Sequence, residues 1–256
     1  MTRPKYTNLN GLWEFQSIKD AQTPTFGKQL NETILVPFPV ESCLSGLKDH
    51  NDSNDIPPTY QHMWYRTTLT SEQLAEHSAA GASGKTLLHF GAVDWKADVY
   101  VNGIWVGSHS GGYDGFNFDI TEALGASSTG AEIWVTVFDP SNMGAQPFGK
   151  QRITARYSPG GDTYTPVSGI WQTVWMETVP ATYISGLKIS ADMKQLTITT
   201  LTNVPDASAV TVTVTDSSGG GVAQTVATGA CKVRICRRFP GSVLLLLCLW
   251  GAVVCF

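Results

Sequence analysis

Residues 96–109 read KADVYVNGIWVGSH, and this stretch decides the fold class. Two short β-rich apolar runs, at 99–101 and 104–106, flank the dipeptide Asn102-Gly103. Asn and Gly tolerate the positive φ angles that a two-residue hairpin turn requires at both of its positions. The stretch therefore predicts a β-hairpin.

The same pattern of short apolar runs between turn residues continues on both sides of the hairpin. We predict further strands at residues 11–16, 63–69, 85–90, 115–120, 132–138 and 172–178. Only residues 71–80, with Ser71 as the expected N-cap, and 119–124 have helical character. Both are too short to connect parallel strands, so residues 1–180 are predicted to form an all-β sandwich.

After Pro180 the sequence changes to Thr- and Val-rich runs with almost no aromatic residues. This texture predicts that a second β module begins near residue 181. Residues 181–230 amount to about half of the roughly 100 residues that an immunoglobulin-like sandwich takes. We therefore predict a partial β-sandwich over residues 181–230.

Residues 231–256 form a basic and apolar tail unlike the rest of the chain. Their apolar end, at 243–256, is shorter than the roughly 20 residues that a membrane-spanning helix needs. Its lack of alternation also fits neither sheet of a sandwich. Codons for residues 232–234 can contain a splice-donor sequence, so we interpret the tail as a translated intron. A tail that associates with a membrane is the less favoured alternative.

The overall composition excludes several classes of protein. Of 256 residues, 42% are hydrophobic and 15% are charged, which is typical of a folded chain. The net charge of −4 and the lack of a basic stripe before residue 231 argue against a nucleic-acid partner. The polar amino terminus does not resemble a signal peptide, and only Cys43 precedes residue 231. These features predict a cytoplasmic protein without internal disulfides.

No motif in the sequence predicts catalysis or metal binding. The histidines show no HExxH pattern or tight pairing, and no GxSxG motif is present. We therefore expect no metal, no other cofactor and no catalytic residue. The tryptophans could stack on sugar rings, but most alternate within predicted strands, which favours a place in the core.

Several strings, taken together and in order, resemble the amino-terminal sugar-binding domain of glycoside hydrolase family 2. This family includes β-galactosidases, β-glucuronidases and β-mannosidases. The strings are NLNGLWEF (8–15), ILVPFPVES (34–42), MWYRTTL (63–69), LLHFGAVDWKADVYVNGIWVGSHSGGYDGFNFDITEAL (87–124), IWVTVFDPS (133–141), QPFGKQ (146–151) and TPVSGIWQTVWMETVP (165–180).

This resemblance implies a jelly-roll sandwich of the galactose-binding type over residues 1–180 and the start of an immunoglobulin-like sandwich over 181–230. In the family a (β/α)₈ barrel follows and holds two catalytic glutamates. No part of this sequence matches that barrel. The expected function is the non-catalytic amino-terminal portion of a retaining β-glycosidase, which is inactive by itself. Its expected partners are a β-linked sugar or glycoside and the missing barrel. A stand-alone carbohydrate-binding module is the alternative.

The resemblance also indicates which loop meets the sugar. In the family, the loop between the FDPS-like and SGIW-like motifs approaches the sugar pocket, and here that loop covers residues 139–169. Its polar side chains can exchange hydrogen bonds with sugar hydroxyls. The predicted substrate-binding residues are Asp139, Asn142, Lys150, Gln151 and Asp162. The sequence does not decide between a galactoside and a glucuronide.

Overall fold

The structure is a computed structural model of the chain. It describes residues 3, 5–47, 61–78, 84–125, 130–156, 158, 160–191, 195–203, 210–216, 221–227, 232–236, 243–249 and 252–255. The chain divides into two compact units. The first unit comprises residues 6–79 and 85–177, and the second comprises residues 1–5, 80–84 and 178–256.

The first unit is built from antiparallel sheets. Six strands form one sheet in the order β3-β2-β4-β10-β7-β8, four form a second in the order β1-β12-β5-β9, and β6 pairs with β11. The strands are β1 Tyr6–Asn8, β2 Gly11–Ile18, β3 Glu32–Val36, β4 His62–Leu69, β5 Lys85–Phe90, β6 Val93–Asp94, β7 Lys96–Val101, β8 Ile104–Ser110, β9 Phe116–Asp119, β10 Ala131–Phe138, β11 Gly169–Ile170 and β12 Val174–Val179. The helices are α1 Ser71–Ser78 and α2 Thr121–Leu124, with short 3₁₀ turns at Cys43–Ser45, Ser141–Met143 and Ile153–Arg156.

Alternation along the strands builds the core. Every second residue of β10, from Ala131 to Val137, is buried in a hydrophobic cluster with Met63, Tyr65 and Leu69 of β4 and with residues of β5 and β12. Trp13 and Phe15 of β2 join the same cluster. The predicted all-β fold class is confirmed, because sheets account for nearly all of the regular structure.

The hairpin forms as predicted. Asn102 and Gly103 connect β7 to β8 with φ angles of 51° and 78°, the left-handed conformations of the expected turn.

The N-cap prediction for α1 is wrong by one residue, because Thr70 fills this position. The Gln73 N–H donates to Thr70 Oγ1, and the Thr70 N–H donates to Gln73 Oε1, a reciprocal capping box.

One face of the six-stranded sheet points away from the core, and we call it the outer face. The segment between β2 and β3 crosses part of it. The Phe26 ring packs against Tyr100 and Trp134, with ring centroids 5.3 and 5.8 Å apart. The Gly27 N–H donates to Glu132, which fixes the segment in place.

A charged triad on the outer face ties three neighbouring strands together. The Arg66 guanidinium on β4 pairs with Glu14 on β2 and with Glu132 on β10. The Arg66 side chain is only 12% exposed. The two carboxylates hold the pKa of Arg66 above its ordinary value. The arginine therefore neutralises two partly buried charges at once.

We expect Arg66→Met to destabilise the first unit by about 2 kcal/mol, because it leaves the partly buried carboxylates of Glu14 and Glu132 without a counter-charge. Urea unfolding followed by circular dichroism measures the loss. Lys85→Met is the matched control, since Lys85 and its partner Asp119 are 39% and 38% exposed. That variant should lose less than about 1 kcal/mol. Equal losses for the two variants would contradict the prediction.

The second unit contains two further antiparallel sheets. Strands β13, β14 and β17 form one, and β16, β15, β18 and β19 form the other in that order. The strands are β13 Ile184–Ala191, β14 Gln195–Thr202, β15 Val210–Asp216, β16 Gly221–Ala227, β17 Lys232–Cys236, β18 Val243–Leu249 and β19 Ala252–Cys255.

The carboxyl-terminal tail contributes strands to both sheets of the second unit. We gave the segment no place in either sheet, yet β17 pairs with β14, and β18 pairs with β15. In the part of the chain that the structure describes, no helix is long and apolar enough to cross a bilayer.

Candidate functional site

A buried polar network lies at the base of the loop that connects β10 to β11. Asp139 follows the last residue of β10 and is 4% exposed. Its Oδ1 accepts the Ser141 N–H at 2.7 Å, and its Oδ2 accepts the Ser168 hydroxyl at 2.6 Å. Ser168 in turn donates its backbone N–H to Glu41 Oε2 at 3.0 Å. One carboxylate thus joins the two ends of the loop.

Gln151 extends this network to a third carboxylate. The side chain is 3% exposed and uses both ends of its amide. Its Nε2 donates to Asp94 Oδ2 at 3.3 Å, and its Oε1 accepts the Val167 N–H at 2.7 Å. Asp94 stands on β6, directly opposite Gly169 of β11. The middle of the loop is therefore anchored to the short two-stranded sheet.

Two glycines leave the space that this arrangement needs. A Cβ at Gly112 would lie 2.5–2.8 Å from the carboxylate atoms of Asp94. A Cβ at Gly169 would collide with the hydroxyl of Tyr65, which is fully buried. Gly169 also has a φ of +86°, in the left-handed region that favours glycine. Any larger residue would displace a member of the network.

The carboxylates hold their protons more tightly than exposed ones do. Burial raises the pKa of Asp94 from 3.8 to about 7, and the charges of Asp139 and Glu41 act in the same direction. Burial also raises the pKa of Asp139 and of Glu41, against the hydrogen bonds from Ser168. The three acids therefore share a site in which burial stabilises the protonated form of each carboxyl group relative to an exposed one.

The network is suited to positioning the loop. The oxygens of Asp139 are engaged by the chain's own donors, and Asp94 accepts from Gln151. Within the described ranges, no cluster of three or more His, Cys, Asp or Glu side chains is placed to hold a metal ion. The side chains that a ligand can reach lie on the exposed surface of the same loop.

That surface carries two exposed tyrosines beside charged groups. Tyr113 is 55% and Tyr164 is 48% exposed. Both hydroxyls lie near Gly149, at 3.9 and 3.0 Å from the position of a Cβ there. The Tyr164 N–H donates to the backbone oxygen of Lys150, and the Lys150 side chain is exposed. We call the surface formed by Tyr113, Lys150, Asp162 and Tyr164 the loop face.

The structure separates the five predicted substrate-binding residues. Asp139 and Gln151 are buried in the network. The Asn142 side chain accepts the Ile153 N–H at 2.8 Å and so shapes the loop from within. Lys150 and Asp162 are exposed on the loop face.

Sequence reasoning missed both the buried partners and the tyrosines. No local sequence pattern marks Asp94 and Glu41 as members of a buried network, because their hydrogen-bond partners are distant in sequence. Tyr113 and Tyr164 could have been noticed as aromatic residues among Gly, Asp and Thr, a setting that is typical of exposed loops.

Comparisons with known proteins agree with this architecture. Residues 47–180, just over half of the chain, match the family described as glycosyl hydrolases family 2, sugar binding domain. A putative β-glucuronidase of Formosa agariphila is 30% identical over 142 residues, which are 54% of this chain and 15% of that protein. A β-galactosidase of Thermoanaerobacter pseudethanolicus is 31% identical over 121 residues, which are 45% of this chain and 15% of that protein.

A solved structure shows the same fold. The β-glucuronidase of Bifidobacterium dentium, complexed with coumarin-3-O-glucuronide, superimposes with a TM-score of 0.68 at 20% sequence identity. The match covers 99% of this chain and 47% of that one. The chain thus spans less than half of that structure, and the two curated matches span 15% of each relative.

Proposed function

Because this chain belongs to glycosyl hydrolase family 2 through its sugar-binding domain, we propose that it is the amino-terminal portion of a retaining β-glycosidase. In this proposal it binds a terminal β-linked sugar and supplies no catalytic residue. Retaining glycosidases need two carboxyl groups flanking the scissile bond. The described acids of the network are instead engaged with the chain's own backbone and side chains.

The observation that carries the proposal is the division of the loop into a buried anchor and an exposed face. A loop fixed by Asp139 and Gln151 holds its surface groups in place before a ligand arrives, which lowers the entropic cost of binding. The loop face offers aromatic rings, a cation, a carboxylate and hydroxyl groups. Sugars have both C–H faces and hydroxyl groups, so they fit such a mixed surface.

We therefore propose that Lys150, Asp162 and Tyr164 contact the sugar and that Asp139, Asn142 and Gln151 hold the loop in shape. The names of the relatives suggest two sugars to compare, a β-glucuronide and a β-galactoside. Lys150 can pair with the carboxylate of a glucuronide, whereas a galactoside offers only hydroxyl groups to it.

The test is a titration of the 256-residue chain with methyl β-D-glucuronide and methyl β-D-galactoside by isothermal calorimetry or ligand-detected NMR. We expect a dissociation constant near 1 mM, corresponding to about −4 kcal/mol. Tyr164→Ala should weaken binding roughly 3- to 10-fold, the amount that one aromatic contact supplies. Met143→Ala is the matched control, because Met143 lies in the same loop, is 70% exposed and is outside the loop face.

Three results would overturn the proposal. If neither glycoside binds, or if Tyr164→Ala and Met143→Ala behave alike, the loop face is not the sugar site. If the purified chain releases nitrophenol from 4-nitrophenyl β-D-glucuronide or β-D-galactoside, the chain carries catalytic residues of its own.

A further inference from the structure

A second pocket lies on the outer face of the six-stranded sheet, away from the β10–β11 loop. It has a volume of about 370 Å³, within the range of pockets that take small molecules. Its base is formed by β4, β10 and β7, and one wall by residues 21–23 of the segment that crosses the outer face. The pocket lies wholly within the first unit.

The pocket exists because one small residue is surrounded by large ones. Thr136 on β10 stands opposite Trp64 of β4 and Asp98 of β7. Two positions along β10 on the same face, Trp134 lies on one side and Phe138 on the other. A threonine among these rings leaves a depression in the sheet surface.

The packing around the depression is firm. Phe138 stacks on His62 with ring centroids 4.7 Å apart. At the other end of the pocket, Tyr100 is held by its contact with Phe26. These rings stand on paired strands or pack on neighbouring rings, so the shape of the pocket is set before a ligand binds.

Trp64 gives a second and independent indication of a ligand. The side chain lines the pocket, and only 8% of it is exposed. Its indole Nε1 is buried and has no hydrogen-bond acceptor among the described residues. A buried donor without an acceptor costs free energy, and a small rotation of the indole that brings Nε1 to a ligand oxygen in the pocket would remove that cost. The other tryptophan at this level, Trp134, donates its Nε1–H to Glu132.

The remaining lining groups define the chemistry of the ligand. Lys96 and Asp98 carry opposite charges on the same strand, and Gln22, Thr23 and Thr136 add neutral polar groups. Burial lowers the pKa of His62, which favours the uncharged form of its ring. The pocket therefore combines aromatic rings with donors and acceptors, and the charges that line it cancel. An uncharged sugar ring, with apolar C–H faces and a rim of hydroxyl groups, satisfies both features.

We propose that this outer-face pocket is a second carbohydrate site, separate from the loop face, which binds one uncharged sugar ring over Thr136. The proposal does not depend on the proposed function, because no residue of the loop face lines the pocket. In a longer carbohydrate, such a site would hold a sugar unit other than the one at the loop face.

The test is a titration of the 256-residue chain with methyl β-D-glucopyranoside, followed by ligand-detected NMR. We expect a dissociation constant in the millimolar range. Thr136→Phe should weaken binding at least 10-fold, because residue 136 is partly exposed and the new ring would fill the depression. Trp64→Phe should weaken binding 3-fold or more, because it removes the indole donor and keeps an aromatic ring. Trp175→Phe is the matched control, since Trp175 lies on β12 of the other sheet. Thermal melting establishes that each variant is folded.

Variants of the two sites separate this proposal from the previous one. Tyr164→Ala should leave methyl β-D-glucopyranoside binding at the pocket unchanged, and Thr136→Phe should leave glycoside binding at the loop face unchanged. The inference is overturned if methyl β-D-glucopyranoside does not bind, if folded Thr136→Phe binds as the parent does, or if Trp64→Phe and Trp175→Phe lose equally. Tighter binding of methyl β-D-glucuronide than of the glucopyranoside at the pocket would also overturn it.

Discussion

Replacing Gly169 by alanine should destabilise the first unit by more than about 3 kcal/mol. Two costs add together at this position. The φ of +86° disfavours any residue with a Cβ by roughly 1–2 kcal/mol. The new methyl group would also collide with the hydroxyl of Tyr65, and forced overpacking in a core typically costs about 1–3 kcal/mol. Tyr65 is fully buried, so its ring has little space into which to move.

Urea unfolding measures this loss, and Gly161→Ala provides the matched control. Gly161 also has a positive φ, of +64°, but no atom lies within 4 Å of its Cβ position. That variant should therefore show only the backbone cost. The double variant Gly169→Ala/Tyr65→Phe should recover about 1 kcal/mol relative to the two single losses added together, because the colliding oxygen is gone. Equal losses at Gly169 and Gly161 would show that the collision is relieved by a small shift.

The strands could be predicted because their signals are local. Alternation and turn residues identified the sheet segments, and Asn102-Gly103 identified the hairpin from two adjacent residues. The cap of α1 was misplaced because Thr70 and Ser71 are neighbouring residues with similar capping ability. Only the reciprocal bonds between Thr70 and Gln73 distinguish them.

The candidate site was predictable only in part. The resemblance located the loop, but it could not show which polar residues point inward. The partners of Asp139 and Gln151 lie 29 and 57 residues away in sequence, and these pairings depend on how β6 and β11 meet. Asp94 looks like an ordinary strand residue until the fold encloses it. Long-range burial of this kind has no local pattern.

The outer-face pocket also depends on long-range contacts that local sequence patterns do not predict. The alternation of residues along β10 predicts that Thr136 lies on the outer face, but it does not predict a pocket there. The pocket arises because β4 and β7 bring Trp64 and Asp98 beside Thr136, while Phe26 closes the neighbouring part of the same face. Register and the path of the segment between β2 and β3 therefore decide whether a surface threonine lines a site.

The stability of the first unit should fall as the pH rises from 5 to 8, and Asp94 should account for a large part of the fall, with Asp139 and Glu41, whose pKa values burial also raises, acting in the same direction. The folded protein keeps the Asp94 proton up to a pKa of about 7, whereas the unfolded chain releases it near 3.8. Between these values the folded state binds more protons than the unfolded state, so raising the pH favours unfolding. The stabilisation is complete below pH 4 and is lost above pH 7. Each pH unit in this window changes the free energy of unfolding by up to about 1.4 kcal/mol, which gives a fall on the order of 3 kcal/mol.

The test compares urea unfolding of the parent chain, Asp94→Asn and Asp114→Asn at pH 5, 6, 7 and 8. Asn cannot lose a proton, and its carbonyl oxygen can still accept the Gln151 amide, so Asp94→Asn should flatten the pH dependence and be more stable than the parent at pH 8. Asp114 is exposed and should leave the slope unchanged. His62, whose lowered pKa favours the folded state as pH rises, is present in all three proteins and cancels in the comparison. A parent chain equally stable at pH 5 and pH 8 would contradict the prediction.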